Sequence, residues 1–256
     1  MKIVILAGGM QSAITDEKEG LPKPMATIGE KPILWHIMKG FASQGFCDFI
    51  ICGGYKVNII KEYFLNFYIF QSDITVNLET NQVIIHKKKT EDWNVTIVDT
   101  GLEVSPGRRI LQIQDYIGNE DFIVVHGDCL SNIDVNRLIE IHKRNAKMAT
   151  LSVARPTGRN EVISICADGV IMADRVAELP ENQAWVNACC KVFTKDIFMY
   201  LEKSPDLGKK LFHDLAEDNQ IMTYKHYGFW SPVETKRDYA LLQKLWNQNE
   251  APWKVW

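Results

Sequence analysis

Apolar residues in this chain fall into short unbroken runs that alternate with stretches of helical spacing. Lys2 to Ala7 is an apolar run stopped by Gly8 and Gly9, the pattern of a strand buried on both faces of a parallel sheet. Residues 32 to 45 carry Ile33, Leu34, Ile37, Met38 and Phe41 at helical spacing, with Pro32 suited to a first turn and Gly45 to a stop. Phe49 to Cys52 then predicts a second buried strand, and Val57 to Phe67 a second helix. The alternation returns at Phe122 to Val125, followed by a helix from Asp134 to Asn145 capped by Asp134, and by a strand from Ala149 to Ala154. Two helices near 195 to 218 and a last one from Thr235 to Gln248 close the chain.

This order predicts a single α/β domain, a mostly parallel, Rossmann-like sheet with helices on both faces and a helical C-terminal end. Between about 70 and 117 the alternation gives way to extended, partly polar segments, including Val83 to His86 and Asn94 to Val98, which predict a β insertion. Val162 to Ile165 and Val170 to Met172 flank Ala167-Asp168-Gly169, a hairpin signal.

Composition narrows the partners. The chain has 256 residues, enough for one sizeable core, and a formal net charge of -3, which argues against a nucleic-acid binder. Lys87-Lys88-Lys89 is a local basic run that suits a phosphate at most. Six cysteines without a CxxC spacing suit reduced thiols, and the first apolar run is too short for a membrane span, so a cytoplasmic protein with no membrane partner is expected. Cys189-Cys190 is expected to alternate between surface and core along a strand.

In open α/β sheets ligands sit beyond the carboxyl ends of the strands, where Gly8-Gly9 and Asp128 are expected. A bare backbone at Gly8-Gly9 lets amides approach phosphate oxygens; it equally suits a tight turn that binds nothing. Pro22 and Pro24 bracket Lys23 in the same loop and hold one cation rigidly. The first turn lacks the GxGxxG spacing of a nicotinamide site.

Leu6-Ala7-Gly8-Gly9 with Pro22-Lys23-Pro24-Met25 resembles the nucleotide loop of sugar-1-phosphate nucleotidyltransferases. Residues 31–38, 48–52, 60–64, 93–101 and the ending Ala251-Pro252-Trp253-Lys254 resemble glucose-1-phosphate cytidylyltransferases in particular, a likeness that spans nearly the whole chain. The resemblance implies transfer from CTP to a phosphorylated acceptor, most simply glucose 1-phosphate, with Mg²⁺ and release of pyrophosphate. It implies that Leu6, Ala7, Gly8, Gly9, Lys23 and Asp128 bind the nucleotide, with Lys23 catalytic. Asp128 and Glu234 become metal ligands, and Asn187, Glu178 and Arg109 acceptor contacts. It also implies a homo-oligomer, for which Trp93, Trp253 and Trp256 suit a buried contact.

Several positions depart from the family pattern. Gln11 and Ala13 replace a glycine and the arginine that would neutralise the β- and γ-phosphates, and Leu179 replaces a lysine for the sugar phosphate. Asn160-Glu161 stands in a segment where a glycine is usual. Asn187-Ala188-Cys189 stands for Asn-Gly-Gly, and Cys129 follows Asp128 where glycine is usual. Two expectations follow, a transferase for this or another phosphorylated acceptor, and a catalytically impaired homologue that binds a nucleotide or a protein partner.

Overall fold

The structure, a computed structural model, describes residues 1–10, 14, 20–86, 90–155, 162–163 and 185–256. Along the chain run β1 (Lys2–Ala7), a 3-10 turn (Lys23–Met25), β2 (Thr27–Ile28), β3 (Lys31–Pro32), α1 (Ile33–Ala42), β4 (Asp48–Gly53) and α2 (Val57–Phe70). Then come β5 (Asp73–Asn77), β6 (Gln82–His86), β7 (Asn94–Asp99), α3 (Pro106–Gln112), α4 (Gln114–Ile117), β8 (Phe122–His126) and β9 (Cys129–Ser131). The rest comprises α5 (Val135–Asn145), β10 (Ala149–Ala154), β11 (Val162–Ile163), β12 (Trp185–Phe193), α6 (Phe198–Lys203), α7 (Lys209–Glu217), β13 (Ile221–Lys225), β14 (Trp230–Pro232) and α8 (Lys236–Asn247).

Among the described residues the main sheet has eight strands, in the order β13-β10-β12-β8-β1-β4-β7 with β11 on β12. β1 pairs in parallel with β4 and β8, β4 with β7, and β10 with β13; β12 is antiparallel to β8 and β10. Strand alternation splits the core into two layers. Ile3, Ile5 and Ala7 face the cluster under α1, α5 and α8, while Val4 faces the cluster under α3, α6 and α7. This is the mostly parallel α/β sheet that the alternating pattern predicts.

Two expectations need correction. The β insertion over about 70–117 narrows to the β5–β6 hairpin, because β7 completes the main sheet beside β4 and residues 106–117 are helical. Asn94 to Val98 looked unlike a central strand because β7 lies at the sheet edge, half-exposed along much of its length. Trp253 is also not free for a neighbouring subunit. It is 1% exposed, packed against His36, Trp246 and Phe229 of its own chain. The hairpin turn around Asp168 lies outside the described residues.

Buried histidines give the fold a pH dependence. His36 donates from Nε2 to Ile28 O (2.9 Å) and receives the Trp253 indole N–H at Nδ1, an arrangement that only the neutral ring can make. Desolvation lowers its pKa below the ordinary 6.5, against the raising effect of its backbone hydrogen bonds. His142, with Nδ1 2.9 Å from Thr150 Oγ1, is lowered by the same cause against the opposing field of Asp121. The unfolded chain binds protons at these rings that the folded chain refuses. Their contribution is therefore fully present above about pH 6.5 and is lost below it, by up to about 1.4 kcal/mol per pH unit for each ring. Urea midpoints measured from pH 7.5 down to 5 should fall, and a flat profile would contradict neutral rings.

Candidate active site

The strand ends bring the candidate residues together. Leu6 and Ala7 finish β1, Gly8 and Gly9 follow, and His126 finishes the neighbouring β8, so Gly127 and Asp128 emerge beside them. Gly127 N donates to Leu6 O (2.9 Å), and a Cβ there would stand 3.0 Å from that oxygen and 3.1 Å from Pro24 Cγ, so only glycine fits without a shift. The 3-10 turn begins at Lys23, whose Nζ lies 2.9 Å from Asp128 Oδ2. Leu6, Ala7, Gly8, Gly9, Lys23 and Asp128 all line one open cleft of about 630 Å³, within the range of small-molecule sites.

The two glycines have different reasons. A Cβ on Gly8 would collide with the Arg109 guanidinium. Among the described residues, no atom comes within 4 Å of a Cβ on Gly9. Neither has the positive φ that would itself demand glycine. Gly9 is thus bare toward the cleft, where an incoming phosphate would approach. Gly8→Ala should destabilise the fold, whereas Gly9→Ala should leave the thermal midpoint within a few degrees of the parent while weakening nucleotide binding. Thermal denaturation with and without CTP separates the two, and loss of folding in Gly9→Ala would overturn the distinction.

Arg109 lines the cleft but its terminal nitrogens face the wrong way for an acceptor. It is 4% exposed, with Nη1 donating to Gly53 O (3.2 Å), Thr100 Oγ1 (2.6 Å) and Gly101 O (2.7 Å), and Nη2 to Gly8 O (2.7 Å) and Leu102 O (2.9 Å). Burial lowers its pKa, against the fields of Cys52 and Asp99. This corrects the expected acceptor contact: those donors are spent on the ends of β1, β4 and β7. Sequence spacing could not show the whole set, because Gly8 and Gly53 lie far from Arg109 in the chain, although Thr100, Gly101 and Leu102 are close to it.

Glu234 is exposed, just before the N-cap of α8, where Thr235 and Asp238 form a reciprocal capping box. Val233 N donates to Asp128 O (2.8 Å), which carries Glu234 to the Asp128 side of the site. The electric fields of Asp128 and Glu234 both reach Cys189. Two hard carboxylates suit Mg²⁺ when phosphate oxygens complete the shell. Among the described residues no cluster of three or more His, Cys, Asp or Glu forms a metal cage.

Asn187 lies on β12, and its Oδ1 accepts from Cys189 N (3.0 Å), bracing a kink where Cys189 takes φ +64° and the β10–β12 register shifts. Left-handed backbone there accounts for the glycine that the family pattern prefers. Glu178, Leu179, Gln11, Ala13, Asn160 and Glu161 lie outside the described residues.

Sequence reasoning missed Lys191 and His126. Lys191 is fully buried with Nζ 3.4 Å from His126 Nε2. Desolvation lowers its pKa, against the fields of Cys189, Cys190 and Cys129. Desolvation, with the Lys191 charge behind it, takes His126 down to about 3 despite Asp128, leaving a neutral ring to receive the lysine. A lysine inside the otherwise apolar run from Ala188 to Phe193 was the available signal.

Residues 2–248 match the nucleotidyl transferase family profile, and the chain belongs to that family. Glucose-1-phosphate cytidylyltransferase of Salmonella typhimurium is 38% identical to it over 259 residues, covering 100% of both chains. The probable glucose-1-phosphate cytidylyltransferase of Bacillus subtilis is 36% identical over 261 residues, again covering 100% of both. Among solved structures, UDP-glucose pyrophosphorylase from Acinetobacter baumannii superposes with a TM-score of 0.75 at 16% identity, over 98% of this chain and 95% of that one. HddC from Yersinia pseudotuberculosis, complexed with GMP-PN, gives 0.70 at 19% identity, over 96% and 99%. These two likenesses establish the shared fold.

Proposed function

We propose that this chain transfers a cytidylyl group from CTP to a sugar 1-phosphate, glucose 1-phosphate being the first candidate, and releases pyrophosphate. The observation that carries this reading is the meeting of Gly8, Gly9, Lys23 and Asp128 at one cleft. The full-length similarity to glucose-1-phosphate cytidylyltransferases supports the choice of base and acceptor.

An oxygen of the acceptor phosphate attacks the α-phosphorus as the bond from that phosphorus to the β-phosphate bridge breaks. Gly8 and Gly9 let the triphosphate lie against the backbone, and Lys23 neutralises charge growing on it. Asp128 and Glu234 would hold Mg²⁺, which supplies electrostatic stabilisation to the anionic oxygens when bound. Lys23 Nζ lies 2.9 Å from Asp128 Oδ2, and a nucleotide phosphate would compete with that carboxylate for the same cation. Asn187 and Glu178 remain the proposed acceptor contacts, and Arg109 acts indirectly by fixing the loop at Gly8.

Ala13 and Leu179 favour a second reading, a homologue that binds nucleotide but turns over slowly or not at all. Pyrophosphate release with CTP, UTP or GTP, Mg²⁺ and a panel of sugar 1-phosphates decides between them. CTP-dependent product supports the transferase. A CTP-induced thermal shift without product supports the binder.

Among the described residues no helix is long and apolar enough to cross a membrane. A homo-oligomer fits exposed apolar residues on α2 and the β5–β6 hairpin, Leu65, Phe70, Leu78 and Ile84 among them. Sedimentation of the parent against Leu65→Glu tests that assembly.

A further inference from the structure

A second group of charged and aromatic side chains stands on the other side of β8 from Gly8. β10 runs parallel to β8, because β12 is antiparallel to both, so the end of β10 emerges at the same sheet edge as Asp128. Val153 pairs with Asn187 on one side and with Lys225 on the other, and residues paired across strands share a face. Trp185 precedes Asn187 by two positions and Arg155 follows Val153 by two, which keeps both on that same face. Since β12 separates β8 from β10, this corner lies two strand spacings, about 10 Å, from the end of β8. There Arg155 Cζ sits 4.3 Å and Lys225 Nζ 5.6 Å from the Trp185 ring centre, both within the about 6 Å over which a ring attracts a cation. Trp185 is 7% exposed, whereas Tyr227, edge-on to it at 5.5 Å, is 77% exposed.

Two cations gathered on one ring repel each other, and an anion between them turns that cost into attraction. Among the described residues no carboxylate forms an ion pair with Lys225. Arg155 carries five N–H donors in a planar fork, enough for a ligand oxygen beside a protein partner, and the fork matches a carboxylate or a phosphate. The Tyr227 ring, held at the rim, offers an apolar wall and a hydroxyl to whatever lies there. We propose that Arg155, Lys225 and Trp185 form a subsite for a second anionic group on the acceptor, a carboxylate or phosphate at the end of the sugar away from the 1-phosphate that reacts at Asp128. The assignment rests on the transferase reading above and narrows its acceptor to a sugar 1-phosphate charged at both ends. The second anion accepts from the Arg155 fork and from the Lys225 ammonium. Asn187, on β12 between the ends of β8 and β10, lies along the sugar ring that joins the two charges.

Glucose 1-phosphate, glucuronic acid 1-phosphate and glucose 1,6-bisphosphate differ at C6 alone, which is neutral, a carboxylate or a phosphate. Their binding to the full chain is measured by calorimetry, and kcat/KM for pyrophosphate release with CTP and Mg²⁺ is measured alongside. At least one of the two acceptors charged at C6 should exceed glucose 1-phosphate by about tenfold or more, and which one does so identifies the group. Arg155→Gln combined with Lys225→Gln should abolish that preference, whereas Arg155→Lys should keep part of it. Arg155 is exposed and Lys225 half-buried, so the variants should stay folded, which their melting midpoints check. Should the double variant fail to fold, the two single variants decide, each expected to lose part of the preference. A parent that favours neither charged acceptor, or a preference that survives in the folded variants, overturns the subsite. If glucose 1-phosphate binds or reacts as well as the others, the subsite alone falls. If no sugar 1-phosphate binds and no pyrophosphate is released, the transferase reading falls with it.

Discussion

Arg109→Ala is expected to lower the unfolding free energy by about 3–5 kcal/mol, the range for removing one side of a buried, hydrogen-bonded charged group. Five acceptors lose the guanidinium at once; Gly53 O keeps the Thr100 N–H and hydroxyl, whereas the carbonyls of Gly8 and Gly101 are left without it. Arg109→Lys should recover only part of the loss, because one ammonium cannot span acceptors that the planar fork reaches from two nitrogens. Urea denaturation with both transitions fitted gives the answer, and a loss under about 1 kcal/mol for Arg109→Ala would mean that the guanidinium holds nothing together. Where the variant remains folded, its CTP affinity should also fall, since the Gly8 carbonyl is no longer anchored.

Lys23→Gln and Asp128→Asn should each reduce kcat for cytidylyl transfer by about 10²–10³, the effect of removing one group that stabilises charge in the transition state. Stability should change little by comparison, because the ion pair is partly solvated, with side-chain exposures of 22% and 31%. The double variant should be far from additive, since the two groups share one ion pair and one substrate. Pyrophosphate release measured across a range of Mg²⁺ concentrations checks both roles. Asp128→Asn should raise the Mg²⁺ needed for half-maximal rate more than Lys23→Gln does. Equal shifts for the two would remove the metal assignment from Asp128.

The sheet was legible because its central strands are buried on both faces and leave unbroken apolar runs, as at Ile3 to Ile5 and Phe122 to Val125. β7 was harder to place, since an edge strand with half-exposed residues resembles an insertion. The phosphate side of the site was legible for a local reason: Gly8-Gly9 and Pro22-Lys23-Pro24 are short motifs at strand ends, and the fold brings them within reach of Asp128. Arg109 was assigned the wrong partners because a lone arginine in a helix carries no sign of which loops converge on it. Lys191 could have been singled out as a cation within an apolar strand, but its neighbour His126 is set by cross-strand pairing.

The knot around Arg109 also constrains how such a chain can change over generations. A methyl group at Gly54 would sit 2.8 Å from both Gly8 O and Gly101 O, and one at Gly8 would overlap the guanidinium itself. Gly8 cannot acquire a side chain while the arginine stays, Gly54 cannot while the Gly8 and Gly101 carbonyls keep their places, and the arginine that holds those two carbonyls cannot leave without stranding them. Each single substitution in this set should therefore pass through a damaged intermediate. Meanwhile Gly9, open to the cleft, is free to vary as far as the bound ligand permits. Divergence in what the site accepts is therefore easiest to reach at its rim, with the fastened loops left as they are.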